Sequence, residues 1–374
     1  MRNALIAAMA FFLLAGQQGR CETVEGADGR ITYIGRTEAR DGAVSFDWTG
    51  TYLKVRFQGK SLSFKVSDTK KNYYNVWLDS PMDKVPDKVL EVTGKDTTIT
   101  IFSADELKAR FGKDRKAAAA PHQVILQKRT EGEQGLTTVH SFTTDGSFLQ
   151  ADPPSNRIIE YIGDSYTCGY GTEAPRTERF SPQTENQNLT YACATARYFG
   201  ADQIVVAHSG MGITRNYNGN VGGYYMPERY LQTFDMVREK SWDAKACPLT
   251  PDITVIYLGA NDFSTSLQPA ERVFVSNYIT LLKEIKECYG DKHPVLCMAP
   301  KNDPMTFSYI RKAVETSGLT DVHFLGLSPS VHNHQEDLGA DGHPNYSGHI
   351  KIAYSVIPYV STITGWEMTG NPVK

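Results

Sequence analysis

The hydrophobic pattern of the chain changes its period near residue 152, and this change predicts two domains of different architecture. Between about residues 23 and 152, apolar and polar residues alternate, as they do in 52–57 and 61–66. An alternation with period two is typical of strands that bury one face. Because the strands are short and are separated by turn residues such as Gly59, we expect an antiparallel β-sandwich.

After a proline-containing linker at 151–155, the apolar residues form continuous runs instead. The runs are 158–162, 204–207, 253–258, 295–298 and 322–327. Such runs are typical of parallel strands that are buried on both faces. Segments with apolar residues every three or four positions lie between them, for instance from Phe274 to Cys288. Strands and helices in alternation predict a three-layer α/β domain with a parallel sheet.

The N-terminal residues have the features of a secretory signal peptide. A positive charge at Arg2 precedes the apolar run 4–15, which is too short to cross a bilayer. Cys21 leaves a lipid-modified N-terminus open, although Arg20 is larger than the residue that normally precedes such a cysteine. We therefore expect a signal peptide over 1–21, a β-sandwich over 22–152 and an α/β domain over 153–374, in an exported protein whose mature chain has no membrane span.

Composition excludes some classes of function. The formal net charge is -3 and the pI is about 6.3, so no strong positive field is available to bind nucleic acid. The six cysteines contain no CxxC spacing, which argues against a thiolate metal site, and we expect neither a metal nor another cofactor. Their pairing and the oligomeric state stay open.

Residues that carry chemistry follow the predicted strands of the second domain. They lie in Gly163-Asp164-Ser165, at Gly210, at Asn261 and in Asp341-Gly342-His343. In open α/β sheets, ligands bind at the carboxyl ends of the strands, where these residues are expected. A serine needs a base to take its proton, and a histidine beside an acid supplies one. Taken singly, Ser165 could also be a helix cap, and Gly210 and Asn261 could be turn residues.

The order of these segments resembles the four blocks of the SGNH, or GDSL-type, hydrolases. Further segments resemble carbohydrate esterase family two, and these are 35–37, 128–131, 162–171 and 226–228. The resemblance implies an N-terminal jelly-roll sandwich ahead of an SGNH hydrolase domain. It also implies a serine esterase that removes acetyl groups from polysaccharides such as xylan or glucomannan.

The same resemblance implies a role for each of the four positions. Ser165 would be the nucleophile, and His343 would accept its proton. The backbone N–H groups of Ser165 and Gly210, with the side-chain amide of Asn261, would form the oxyanion hole. The acetyl-enzyme would then be hydrolysed by water.

Two positions depart from the pattern of the family. Most SGNH enzymes have the acid three residues before the histidine, where this chain has Ala340; Asp341 is two residues before. Either its side chain or its backbone carbonyl orients His343, and we expect the side chain to do so. Gly342 stands where the family often has a tryptophan, so we expect the substrate to be bound by other residues, namely Tyr170, Tyr225 and Met226.

Three other functions remain as alternatives. The chain could be an SGNH esterase for another acetylated glycan or acyl ester, or a carbohydrate-binding protein without catalysis. His332, His334 and the nearby Asp337 also allow a metal-dependent deacetylase. Histidines spaced in this way in a loop are usually solvated, and the four intact positions favour serine-dependent hydrolysis.

Overall fold

The computed structural model describes residues 21–112, 114–220, 224–239, 241–300, 304–332 and 334–374. Apart from Cys21, the predicted signal peptide lies outside the described residues. All six cysteines are described, and each is a free thiol. Within the described ranges, no helix combines the length and apolar character needed to cross a membrane.

The N-terminal part is the predicted antiparallel β-sandwich. Its strands are β1 (Glu22–Glu25), β2 (Thr32–Ile34), β3 (Glu38–Arg40), β4 (Ala43–Phe46), β5 (Tyr52–Gln58), β6 (Leu62–Asp68), β7 (Lys71–Leu78), β8 (Lys88–Thr93), β9 (Thr97–Phe102), β10 (His122–Lys128), β11 (Thr137–Thr144) and β12 (Ser147–Leu149). One sheet has the order β3-β4-β11-β6-β9, with β1 also on β11. The other has the order β12-β5-β10-β7-β8, with β2 on β5. Apolar side chains such as Phe46, Val55, Val124 and Phe142 fill the space between the sheets. Helices α1 (Ala104–Phe111) and α2 (Arg115–Ala118) connect β9 to β10.

Strand β7 departs from the one-sided alternation that is expected of a sandwich strand. Every residue from Asn72 to Leu78 is buried, and the second domain covers part of the outer face of this strand. Asn75 donates a hydrogen bond to the side chain of Asn186 at 2.9 Å. Tyr52 from the sandwich packs in one apolar cluster with Ile158 and Ile204 from the second domain. The sandwich and the second domain therefore share a buried interface.

The C-terminal part is the predicted three-layer α/β domain, built on a parallel sheet with the order β14-β13-β15-β16-β17. The strands are β13 (Ile158–Gly163), β14 (Asp202–Ala207), β15 (Ile253–Tyr257), β16 (Val295–Ala299) and β17 (Val322–Gly326). The helices are α3 (Ser165–Cys168), α4 (Tyr191–Tyr198), α5 (Met226–Tyr230), α6 (Glu271–Tyr289), α7 (Pro304–Thr316) and α8 (Tyr346–Thr364). Apolar residues of α6 and α7 cover one face of the sheet, and those of α4 and α8 cover the other.

A fully buried ion pair joins the two domains. The guanidinium of Arg36 lies 3.1 Å from the carboxylate of Glu160 on β13, and neither side chain has any exposed surface. Arg36 also donates to the carbonyls of Tyr230 and Gln232. Glu160 accepts hydrogen bonds from the hydroxyls of Thr254 and Tyr289. Since removing one partner leaves an uncompensated buried charge, this pair constrains how the domains meet.

We predict that Arg36→Met lowers the free energy of unfolding by about 3–5 kcal/mol, because it leaves the Glu160 carboxylate buried without its cation. Urea unfolding followed by fluorescence measures this loss. The matched control is Arg311→Met on α7, which breaks an exposed ion pair with Glu315. That control is expected to cost less than about 1 kcal/mol. Equal effects of the two substitutions would contradict the structural role of the buried pair.

Candidate active site

Ser165 and His343 meet at the carboxyl end of the parallel sheet. Ser165 is the first residue of α3, directly after β13, and Asp164 caps this helix by accepting the N–H of Tyr166 at 3.1 Å. His343 lies just before α8, where the Asn345 side chain accepts the N–H of Gly348 at 3.2 Å. The Nε2 atom of His343 is 2.8 Å from the Ser165 hydroxyl oxygen. The serine and the histidine predicted from the sequence are therefore in hydrogen-bond contact.

The imidazole of His343 is in the state that a base requires. Burial of the ring lowers the pKa of His343 to about 4, although the Asp341 carboxylate and the backbone carbonyls of Asp341 and Ala340 act to raise it. The ring is therefore neutral at neutral pH and can accept the serine proton. Its Nδ1 atom is buried and makes no hydrogen bond of normal geometry with any described residue.

The Asp341 carboxylate faces away from the imidazole. Its oxygens accept from the guanidinium of Arg179 at 2.9 Å, the backbone N–H of Phe180 at 3.1 Å and the hydroxyl of Tyr170 at 3.3 Å. These three contacts lower the pKa of Asp341, with the N–H of Phe180 first among them. The residue has a φ of 51°, a left-handed conformation that directs the side chain to this segment. The side-chain contact with His343 that we expected is thus not made within the described chain.

Two backbone N–H groups point to an oxyanion hole. Among the described residues, neither the N–H of Ser165 nor that of Gly210 has a hydrogen-bond acceptor. Gly210 follows β14 and has a φ of 78°, which glycine adopts readily. Its carbonyl accepts the N–H of Tyr217 at 2.8 Å. Unpaired backbone donors beside a nucleophile are suited to bind a developing negative charge.

Asn261 joins the loop after Gly210 to the turn that carries the nucleophile. Its Nδ2 donates to the carbonyl of Met211 at 2.8 Å and to the Asp164 carboxylate at 3.1 Å. Burial raises the pKa of Asp164 to about 7. Because both amide protons have acceptors, a bond from Asn261 to an oxyanion has to replace one of these contacts.

The next residue, Asp262, holds the backbone of the same loop. Its carboxylate accepts the N–H groups of Ile213 at 2.9 Å, Thr214 at 2.7 Å and Arg215 at 3.0 Å. Burial raises the pKa of Asp262 to about 6, while these bonds act to lower it. The segment from Asn261 to Asp262 therefore fixes the loop that presents Gly210.

A small pocket opens at the Ser165 hydroxyl. Its volume is about 180 Å³, and it is lined by Asp164, Ser165, Tyr166, Tyr217, Tyr257, Ala260, Asn261, Ser264, Pro300 and His343. Tyr217, which is 59% exposed, was missed by the sequence analysis because it lies in a polar loop without periodicity. Among the predicted substrate-binding residues, Tyr170 lies beside the pocket, with its ring centroid 4.3 Å from that of His343.

The other two predicted substrate-binding residues do not line this pocket. The prediction for Met226 was wrong, because its side chain is fully buried in the core under α6 and cannot contact a substrate there. Tyr225 is half-buried at the start of α5 and is not among the lining residues. Both residues are placed by the packing of α5 against the α/β domain. The sequence did not predict this packing, because α5 is short and follows a glycine-rich loop.

In the described part of the chain, one group of side chains has metal-ligating atoms close together. Glu131, Cys168 and Glu185 offer atoms within 4.8 Å of one another, and all three residues are buried. Asp337, which the metal-dependent alternative invoked, instead accepts hydrogen bonds from Ser347 at 2.9 Å and Lys351 at 2.6 Å.

Comparison with protein families identifies both halves of the chain. Residues 33–154 match the model described as carbohydrate esterase 2 N-terminal, and residues 161–350 match the GDSL-like lipase/acylhydrolase family. The chain is 30% identical to a cellulase/esterase CelE of Acetivibrio thermocellus over 90% of its own length. Over 64% of its own length, the chain is 31% identical to an acetylxylan esterase / glucomannan deacetylase of Cellvibrio japonicus. The match spans only 40% of the first relative and 64% of the second.

The structural comparison agrees with the sequence comparison. A family two carbohydrate esterase from Clostridium thermocellum, solved in complex with cellohexaose, superposes with a TM-score of 0.79 at 29% identity. The similarity covers 90% of this chain and 100% of that chain. The resemblance to these families is confirmed. The chain therefore belongs to the GDSL-like lipase/acylhydrolase family, with a domain of the carbohydrate esterase 2 N-terminal type ahead of its α/β domain.

Proposed function

We propose that this protein is a serine esterase that removes O-acetyl groups from polysaccharides such as acetylated xylan or glucomannan. The observation that carries the proposal is the 2.8 Å contact between the His343 Nε2 and the Ser165 hydroxyl, at a pocket with two unpaired backbone donors. The acetylxylan esterase among the relatives supports the choice of substrate. We also propose export, on the basis of the signal-peptide features of residues 1–21.

The reaction begins when Ser165 attacks the acetyl carbonyl carbon. His343 accepts the hydroxyl proton, so that a neutral imidazole becomes an imidazolium as the C–O bond forms. Collapse of the tetrahedral intermediate breaks the bond to the sugar oxygen, which takes the proton from His343. Water then attacks the acetyl-serine with the same histidine as base, releasing acetate and the free enzyme.

The negative charge of the intermediate is held by the N–H groups of Ser165 and Gly210. We assign the third donor to the Asn261 amide, which exchanges its longer contact with Asp164, at 3.1 Å, for the oxyanion. A donor of this type contributes about 2.7–4 kcal/mol to the stability of a transition state.

His343 is oriented by the backbone in this proposal. The Asp341 carboxylate is engaged by Arg179, Phe180 and Tyr170, so it holds the turn in place. The carbonyls of Asp341 and Ala340 lie close enough to the ring to raise its pKa. We therefore infer a Ser165–His343 dyad in which Asp341 acts through its main chain and through the conformation of the loop.

The pocket favours a small acyl group. Its volume of about 180 Å³ and the rings of Tyr166 and Tyr257 in its lining leave space for an acetyl group rather than a long acyl chain. This disfavours the alternative of a lipid esterase. The hydrogen-bond contact between His343 and the Ser165 hydroxyl, beside these donors, is what catalysis requires and binding alone does not, which disfavours the non-catalytic alternative.

We predict that the protein releases acetate from acetylated xylan and glucomannan. We also expect it to cleave chromogenic acetate esters faster than esters of acids with about eight carbons, because such a chain is too long for the pocket. Ser165→Ala should abolish this release, because it removes the atom that forms the covalent bond. Acetate measured by coupled assay provides the readout. Ser155→Ala in the linker, whose hydroxyl bonds to the carbonyl of Gly200, is the matched control and should retain full activity.

Acetate release that survives in Ser165→Ala would overturn the assignment of the nucleophile. A preference for long acyl esters over acetate would overturn the proposed substrate while leaving the mechanism intact.

We predict that Asp341→Asn retains turnover within about tenfold of the native protein, whereas loss of a true triad carboxylate costs about 10,000-fold. Asparagine tolerates the left-handed conformation at this position and can still accept the N–H of Phe180. Steady-state kinetics with an acetate ester measures the effect. A loss of several orders of magnitude, in a variant whose circular dichroism is native, would show that the carboxylate orients His343 after all.

A further inference from the structure

One carboxylate from the sandwich domain contacts both segments that carry the backbone donors of the oxyanion hole. Glu131 accepts the N–H of Ser209 at 2.6 Å, and Ser209 immediately precedes Gly210. The same oxygen, Oε2, accepts from the thiol of Cys168 at 3.6 Å. Cys168 is the last residue of α3, whose first residue is Ser165. We propose that Glu131 is a positioning residue that sets the two donors relative to each other, an inference that rests on the proposed esterase function.

The position of Glu131 is itself fixed by contacts with both domains. Its side chain is buried, its N–H donates to the Glu185 carboxylate at 3.2 Å, and its carbonyl accepts from the Lys128 ammonium at 3.0 Å. Lys128 is the fully buried last residue of β10, so the end of this strand anchors the loop. Burial lowers the pKa of Lys128, against the pull of the surrounding carboxylates.

A second contact from the sandwich holds the residue before Ser209. Gly132 of the sandwich packs against the side chain of Asp235. The approach is so close that a Cβ at position 132 would lie 2.5 Å from the Cβ of Asp235. Asp235 lies 2.8 Å from Nδ1 of His208, and its own N–H donates to Asp47 on the sandwich at 2.8 Å. Burial acts against the charge on His208, but Asp235 outweighs it and raises the pKa of His208 to about 9. Ser209 is thus held by Glu131 of the sandwich, and His208 is held by Asp235, which the sandwich contacts through Asp47 and Gly132.

These contacts determine the direction of the Gly210 N–H. That bond lies in the peptide plane between Ser209 and Gly210, and the hydrogen bond to Glu131 restrains the rotation of Ser209. A displacement of about 1 Å at a catalytic group can cost about 100-fold in rate. Because the donors act mainly on the tetrahedral intermediate, weakening their alignment lowers kcat more than it raises KM. In this role the sandwich contributes to transition-state stabilisation in addition to covering the α/β domain.

The test compares three substitutions of Glu131 by steady-state kinetics on a chromogenic acetate ester. Glu131→Ala removes the acceptor and Glu131→Asp withdraws it by one methylene, and each should lower kcat by about 10- to 100-fold with KM within about twofold. Glu131→Gln retains an acceptor oxygen at the same distance and should keep kcat within about fivefold.

The matched control is Tyr52→Phe, which removes a buried hydrogen bond between the domains, from Tyr52 to Asp202, far from the oxyanion hole. It should lower the melting temperature and leave kcat unchanged. A short alkylboronic acid, which forms a tetrahedral adduct with a serine hydroxyl, gives a second readout. Its inhibition constant should rise in Glu131→Ala by the same factor as kcat/KM falls, and remain unchanged in Tyr52→Phe.

Several outcomes would overturn the inference. Turnover of folded Glu131→Asp or Glu131→Ala within about twofold of native would show that the contact does not position the donors. If kcat falls as far in Glu131→Gln as in Glu131→Ala, the charge of the carboxylate, and not its hydrogen bond to Ser209, is responsible for the loss of activity. If the native protein shows no hydrolysis that depends on Ser165, both the inference and the proposed function fail, whereas the first two outcomes overturn the inference alone.

Discussion

The burial of charged and polar side chains between the sandwich and the α/β domain constrains the rest of this structure. Arg36 and Glu160 pair without any exposed surface, and Lys128 and Glu131 are enclosed at the same interface. A buried charge without its partner costs several kcal/mol, so the domains pack stably in the one arrangement that pairs these groups. The helix that begins at Ser165 contacts this interface through Cys168, whose thiol donates to Glu131, so the interface restrains the position of the nucleophile. A preorganised oxyanion hole requires such restraint, because donors that are already fixed cost no reorganisation during the reaction.

Much of the fold and the central pair of the site could be predicted from the sequence. The runs that became β13 to β17 are mostly apolar, as is typical of parallel strands covered on both faces, although Glu160 and His323 interrupt them. Parallel strands end at the same edge of a sheet, which is why residues 178 positions apart, Ser165 and His343, could be expected to meet. The physical reason is topological: each connection between parallel strands returns the chain across the sheet, so that successive strands end at the same edge.

The parts that escaped prediction depend on contacts between segments distant in the chain. The direction of the Asp341 carboxylate follows from its positive φ and from Arg179 and Phe180, which no local pattern connects to it. Met226 is apolar beside tyrosines, a composition that suits a cleft and a core equally, and the packing of α5 decides for the core. Glu131 contacts Ser209 across the domain boundary, 78 positions away. Spacing along the sequence carries no signal for such pairs.

Mass spectrometry of the protein, quenched in acid during turnover of an acetate ester, tests directly whether Ser165 carries the acyl group. We expect one acetyl group on the peptide that contains Ser165, formed as product appears and lost as substrate runs out. The same peptide from Ser165→Ala should stay unmodified. Acetylation at another residue that kinetically matches turnover, or steady turnover by a protein whose Ser165 peptide is already blocked, would contradict the assignment of Ser165 as nucleophile.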